Sequence, residues 1–137
     1  MTLEFQEFIK TGRPKIPFGT HIDVAIEEMS EYTISPINSN DDSYGIHTKG
    51  AEYLFYEKTL CLVQYESSRI NKIILPGLIL TKRTTISEFE EYLKKIEVNY
   101  SRHDTEDQLV IVTQQDVKIY FSKEEGYFQT ALKMQWT

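Results

Sequence analysis

The sequence predicts an α+β fold: an antiparallel sheet with two helices on one face, built as a tandem internal repeat of the αβββ type. Three observations carry this. Stretches rich in β-branched and aromatic residues outnumber helical ones. The turns between successive strands are too short for parallel crossovers, which leaves antiparallel pairing. A helix followed by strands occurs twice, at nearly constant spacing. The 137 residues suit a single domain over 1–137, with pseudo-repeats at about 15–77 and 78–137.

The repeat aligns without a gap. Residues 46–58 lie over 111–123 at a shift of 65, so that Ile46 meets Ile111, Thr48 meets Thr113 and Lys58 meets Lys123. Leu54-Phe55-Tyr56 then falls on Ile119-Tyr120-Phe121. Ahead of these strands Ile22, Ala25 and Met29 meet Ile86, Phe89 and Leu93 at a shift of 64.

In chain order, residues 5–10 and 15–18 flank the turn Thr11-Gly12-Arg13-Pro14 and read as an N-terminal hairpin, although Phe5, Phe8 and Ile9 suit a short helix equally. Thr20-His21-Ile22-Asp23 opens a helix over about 20–31, with Ile22, Ala25, Ile26 and Met29 inward and Asp23 at the positive end of the dipole. Ser35-Pro36 discourages its continuation. Residues 33–44 read as a loop, 53–65 as one or two strands and 70–75 as another, ending at Pro76-Gly77. Thr85-Ile86-Ser87-Glu88 has the form of a capping box and starts a helix over 85–96. Its inner stripe is Ile86, Phe89, Leu93 and Ile96, with Glu90, Glu91, Lys94 and Lys95 on the wet side. A second loop over 98–107 precedes strands at 109–113, 117–121 and 127–136, the last two joined by Ser122-Lys123-Glu124-Glu125-Gly126.

Hydrophobic residues are 40% and charged residues 26%, the composition of a folded globular chain. Lys and Arg number 15 against 21 Asp and Glu, a net charge of −6 that repels phosphate backbones and anionic lipid. The basic residues are scattered, so neither a nucleic acid nor a membrane is expected as partner. Acidic pairs at Glu27-Glu28, Asp41-Asp42, Glu90-Glu91, Glu106-Asp107 and Glu124-Glu125 are ordinarily solvated faces, yet they also favour a basic partner. Cys61 stands alone among apolar neighbours, which excludes an internal disulfide and suits a buried thiol in a reducing compartment. The start of the chain lacks a basic, apolar leader, so a cytoplasmic location is expected.

No catalytic motif emerges. His21, His47 and His103 share no metal-ligand spacing, so neither metal nor cofactor is expected. His103-Asp104 are neighbours in sequence and rarely orient one another. There is no nucleophile elbow, and the 6 glycines are too dispersed for a phosphate cradle. Glu27-Glu28 and Glu90-Glu91 face outward, where water keeps carboxylates ordinary.

A tandem helix-then-strands chain of this length, acidic and without catalytic residues, resembles the β-lactamase inhibitor protein architecture and, more loosely, the small immunity proteins of bacterial toxin systems. The resemblance implies a non-catalytic inhibitor that covers the active site of one enzyme or toxin. The inhibitor family is secreted and disulfide-bonded, whereas this chain has one cysteine; the implied partner is therefore a cognate cytosolic toxin, basic in character, such as a nuclease toxin. The expected contact residues are Asp41, Asp42 and Tyr44 in one loop with Tyr100, Asp104, Glu106 and Asp107 in the other, brought side by side by the duplication. Tyr53, Tyr56, Tyr65, Tyr120 and Tyr127 offer a second surface on the sheet, the alternative being core filling with the hydroxyl reaching water. A small-ligand or general interaction module, and an enzyme of unrecognised type, are the competing classes.

Overall fold

A computed structural model of the chain describes residues 2–38, 42–48 and 50–135. The N-terminal hairpin is not formed; its place is taken by helix α1 (Thr2–Thr11). Phe5, Phe8 and Ile9, at helical spacing, are all fully buried, and Phe5 and Phe8 close on the ring of Tyr65 at 5.1 and 5.4 Å. Burying three large side chains at roughly 1.5–3 kcal/mol each outweighs any local turn preference. Gly12 ends the helix at φ +72°, its N–H donating to Phe8 O at 2.8 Å, the left-handed stop that glycine adopts without strain.

Helix α2 (Ile22–Glu27) is shorter than the sequence predicts. Four strands follow: β1 (Thr33–Asn38), β2 (Ser43–Thr48), β3 (Ala51–Tyr56) and β4 (Thr59–Glu66). A small hairpin comes next, β5 (Ile73–Leu75) and β6 (Leu78–Leu80), turning at Pro76-Gly77 with Gly77 at φ +86°. Helix α3 (Ile86–Lys95) then precedes β7 (Tyr100–Arg102), β8 (Gln108–Thr113), β9 (Lys118–Ser122) and β10 (Phe128–Met134). Trp136 lies outside the described residues. There are thus three helices among the described residues, and four strands of the main sheet rather than three follow each of α2 and α3, with the β5–β6 hairpin coming before α3.

Both segments read as loops contain an edge strand. β1 carries Pro36, which lacks an amide hydrogen and is tolerated where one side of a strand needs no partner. β7 is only three residues long and polar at Ser101 and Arg102. The main sheet has the order β1-β2-β3-β4-β10-β9-β8-β7, every neighbouring pair antiparallel.

The ladder also corrects the gap-free alignment. Ile46 pairs with Tyr53, seven residues on, whereas Ile111 pairs with Ile119, eight residues on. The β8–β9 register is therefore offset by one residue from the β2–β3 register, and a one-residue slip moves side chains to the opposite face. Leu54, laid over Ile119 by the ungapped match, lies outside the core, while Ile119 is fully buried within it. Tyr53 and Phe55 occupy the places that Ile119 and Phe121 hold in the other hairpin.

One core cluster on a single face of the sheet takes in Ile46, Tyr53, Phe55, Val63 and Tyr65 from strands β2 to β4, with Ile111, Ile119, Phe121, Phe128 and Ala131 from β8 to β10. Phe89 of α3 packs on Phe121 at 5.7 Å and stacks with Phe128 at 6.4 Å. The capping box at Thr85 is formed: its hydroxyl accepts from Glu88 N at 3.2 Å and its own N–H donates to Glu88 Oε1 at 3.0 Å. Of the five tyrosines that suit either an outer surface or core filling, Tyr53 and Tyr65 are core residues. Among the described residues no helix is long and apolar enough to cross a membrane.

Candidate functional site

The two acidic loops do not meet. The turn that carries Asp42 leads into β2 and the turn that carries Glu106 and Asp107 leads into β8, and β3, β4, β10 and β9 lie between those strands. Five inter-strand spacings separate them by roughly 24 Å. An odd number of antiparallel steps also makes β2 and β8 run in opposite directions, so the loops sit at diagonal corners of the sheet. The central β4–β10 pairing explains why: it sets the two four-strand runs side by side and carries the loops apart. The expectation of a neighbouring pair is overturned.

Taken singly, Asp41 lies outside the described residues, and Asp42 is exposed at φ +53°. Tyr44 is half-buried against the core, opposite Phe55. Tyr100 also packs against the core, and its hydroxyl donates to Glu90 Oε2 at 2.8 Å. That carboxylate is half-buried and also lies 3.5 Å from Arg102 Nη1, which corrects its placement on an outer face. Asp104 accepts two hydrogen bonds from Arg102, at 3.0 and 2.7 Å, and one from Val110 N at 3.1 Å. The guanidinium and this amide hold its carboxyl below the usual range. His103 turns instead to Ser101 Oγ, 2.8 Å from its Nε2, so His103 and Asp104 form no dyad. Glu106 and Asp107 are exposed and share a hollow with Glu124, Glu125 and Lys123. One loop thus gains acidic company from the β9–β10 turn, although its intended partner is remote.

A larger feature is the sheet face that the core does not use. Cys61, Leu62 and Val110 are buried yet stand outside the core cluster. The ladder assigns Leu54, Leu62, Leu132 and Met134 to this second face, together with Val110, Val112 and Tyr120. A Cβ on Gly45 would meet Leu54 at 3.4 Å and Ile37 at 3.5 Å, so Ile37 leans over this face too. An antiparallel sheet with a wet face normally alternates cleanly to polar residues, and this one does not.

One row runs across all eight strands: Thr33, His47, Glu52, Gln64, Leu132, Lys118, Val112 and Ser101. Its first half is polar and interlocked. His47 Nδ1 lies 3.0 Å from Glu52 Oε2, close but out of line for a hydrogen bond, and Gln64 Nε2 donates to Glu52 Oε1. Arg69 reaches over from the β4–β5 connection to Glu52 at 3.9 Å and Glu66 at 3.6 Å. The second half is more apolar, and there Val110, Val112, Lys118 and Tyr120 border an open hollow with His103 and Thr105.

Sequence reasoning reached this face only through its tyrosines, because Leu60-Cys61-Leu62-Val63 reads as a continuous apolar run, which fits a strand buried on both sides. A bulge at Cys61 puts Leu60 and Val63 inward and Leu62 outward. Comparison with protein-family models, curated proteins and solved structures found no match to this chain.

Proposed function

We propose that the chain is a non-catalytic protein inhibitor of the immunity type, acting in the cytoplasm, which binds and blocks a cognate bacterial toxin through the second face of its eight-stranded sheet. The observation that carries this reading is the mixed character of that face: aliphatic and tyrosine side chains in reach of solvent, set among partly buried charges. Protein contact surfaces combine an apolar centre with polar groups that fix register, whereas a face meant only for water has no use for Leu54, Leu132 and Tyr120. The acidic corner at Glu106, Asp107, Glu124 and Glu125 adds a means of steering a basic partner.

The same proposal includes the tandem repeat, revised to a helix and four strands, with the helices on one face. Matching bonds support it. Ile22 N donates to Lys58 O at 2.8 Å as Ile86 N does to Gly126 O at 2.9 Å, and the bridges His21–Thr59 and Thr85–Tyr127 correspond. A register shift falls at Leu54/Phe55 in one half and at Phe128/Thr130 in the other. The strand pairs about the Gln64–Leu132 contact then exchange under a two-fold axis.

The test is to express the product of the gene adjacent to its own as a toxin and ask whether this chain restores growth. Leu132→Asp and Tyr120→Ala are expected to abolish protection while leaving the melting temperature nearly unchanged. Full protection by both variants would remove this face from the interface.

A further inference from the structure

The segment between β4 and α3 is chemically unlike the rest of the molecule. Residues 67–85 contain 4 Lys and Arg and no Asp or Glu, leaving 11 basic against 21 acidic residues elsewhere. Within it the β5–β6 hairpin buries Ile73, Leu75 and Leu80, while Ile74 and Ile79, directly opposite one another, are 55% and 57% exposed. Arg69 is engaged by Glu52 and Glu66, but Lys72, Lys82 and Arg83 are exposed and form no ion pair among the described residues.

At the foot of the hairpin Lys82 and Arg83 border a hollow with Ser67, Ser68, Asn71 and Thr81. The turn that presents them is held in place: Thr81 N donates to Thr84 Oγ1 at 2.8 Å, and Arg83 N to Thr81 Oγ1 at 3.1 Å. The hairpin also contacts α1 and α3, which places it on the helix side of the sheet, away from the second face.

An exposed aliphatic pair beside unpaired cations selects its occupant by charge. Two copies of this chain meeting hairpin to hairpin would bring like charges together. An anionic bilayer attracts this patch but repels the large negative excess of the remaining chain. A local acidic surface meets neither objection. We propose that the β5–β6 hairpin docks an acidic protein segment, with aliphatic side chains covering Ile74 and Ile79 and a carboxylate held in the hollow by Lys82 and Arg83. This interaction is separate from the inhibitor surface and leaves that surface free.

The probe is a short fluorescein-labelled peptide alternating Glu and Leu, titrated with the intact chain and followed by anisotropy. Binding is expected to weaken at least about tenfold with Lys82→Glu combined with Arg83→Glu. It is expected to weaken also with Ile74→Ser and Ile79→Ser, and to fall when Gln replaces Glu in the peptide. Circular dichroism confirms that the variants are folded. Equal binding of the Gln peptide, or unchanged binding by the folded charge-reversed variant, overturns the proposal. So does retention on phosphatidylserine vesicles that depends on Lys82 and Arg83 in the absence of peptide binding, since the occupant is then lipid.

Discussion

Helices α2 and α3 enter the fold through the same backbone bonds and then diverge. α3 runs ten residues and contributes Phe89, Tyr92 and Leu93 to the core; α2 stops after six and has Ala25 where the shift of 64 places Phe89. The missing ring volume is made up from another part of the chain, by Phe5 and Phe8 of α1 on Tyr65. A sheet of this size needs a filled layer above it, and either one long aromatic-bearing helix or two short helices can supply it.

That comparison is most directly broken in the core. Phe89→Ala and Phe8→Ala are each expected to cost about 3–5 kcal/mol in urea melts, since each removes a fully buried ring. A cost below about 1 kcal/mol for Phe8→Ala would show that α1 does not complete the layer.

Alkaline titration sharpens the comparison next. Burial pushes Tyr53 and Tyr92 up to about 12 from 10.0, and raises Tyr65 further in the same direction. The unfolded chain therefore loses these protons first, so stability is full below pH 10 and falls as pH rises through about 12. Tyr65→Phe and Tyr92→Phe should each flatten this decline in melts recorded across that range, the first on β4 and the second on α3.

Smaller effects follow on the outer side of α3 and at the helix starts. Glu90→Ala should cost about 1 kcal/mol, because Tyr100 and Arg102 lose their shared carboxylate. Thr85→Ala should cost about 1 kcal/mol through the capping box. His21→Ala should cost less than that, because the imidazole Nδ1 caps only Asp23 N, at 3.1 Å. Chemical denaturation of the three variants ranks them, and a larger loss at His21 would reverse the comparison.

Much of this architecture was legible in the residues. The capping box, the stripe of Ile86, Phe89 and Leu93, the antiparallel pairing and the strands near 109–113 and 117–121 follow from local pattern and stand in the fold. Tyr92 escaped because a tyrosine beside a charged face reads as amphipathic, though it is 1% exposed. The edge strands escaped because Pro36 and the polar Ser101-Arg102 pair signal loop, and edge position is a tertiary fact. At the site, the residue types of the acidic loops were found but their separation was not. Nothing local encodes that β4 and β10 lie side by side, and that single pairing sends the two loops to opposite corners.

The β4–β10 ladder also governs how the molecule comes together in time. Its partners, from Glu66–Thr130 to Leu62–Met134, are 64 to 72 residues apart, whereas each other strand of the sheet pairs with its neighbour in sequence. Loop-closure entropy makes such a contact slow, so the two four-stranded meanders organise before their junction does. Until it closes, β4 and β10 are both bare apolar edges open to the matching strand of another molecule. At high concentration during refolding, exchange of whole halves between two chains is the natural misassembly, and it preserves every native contact within each half.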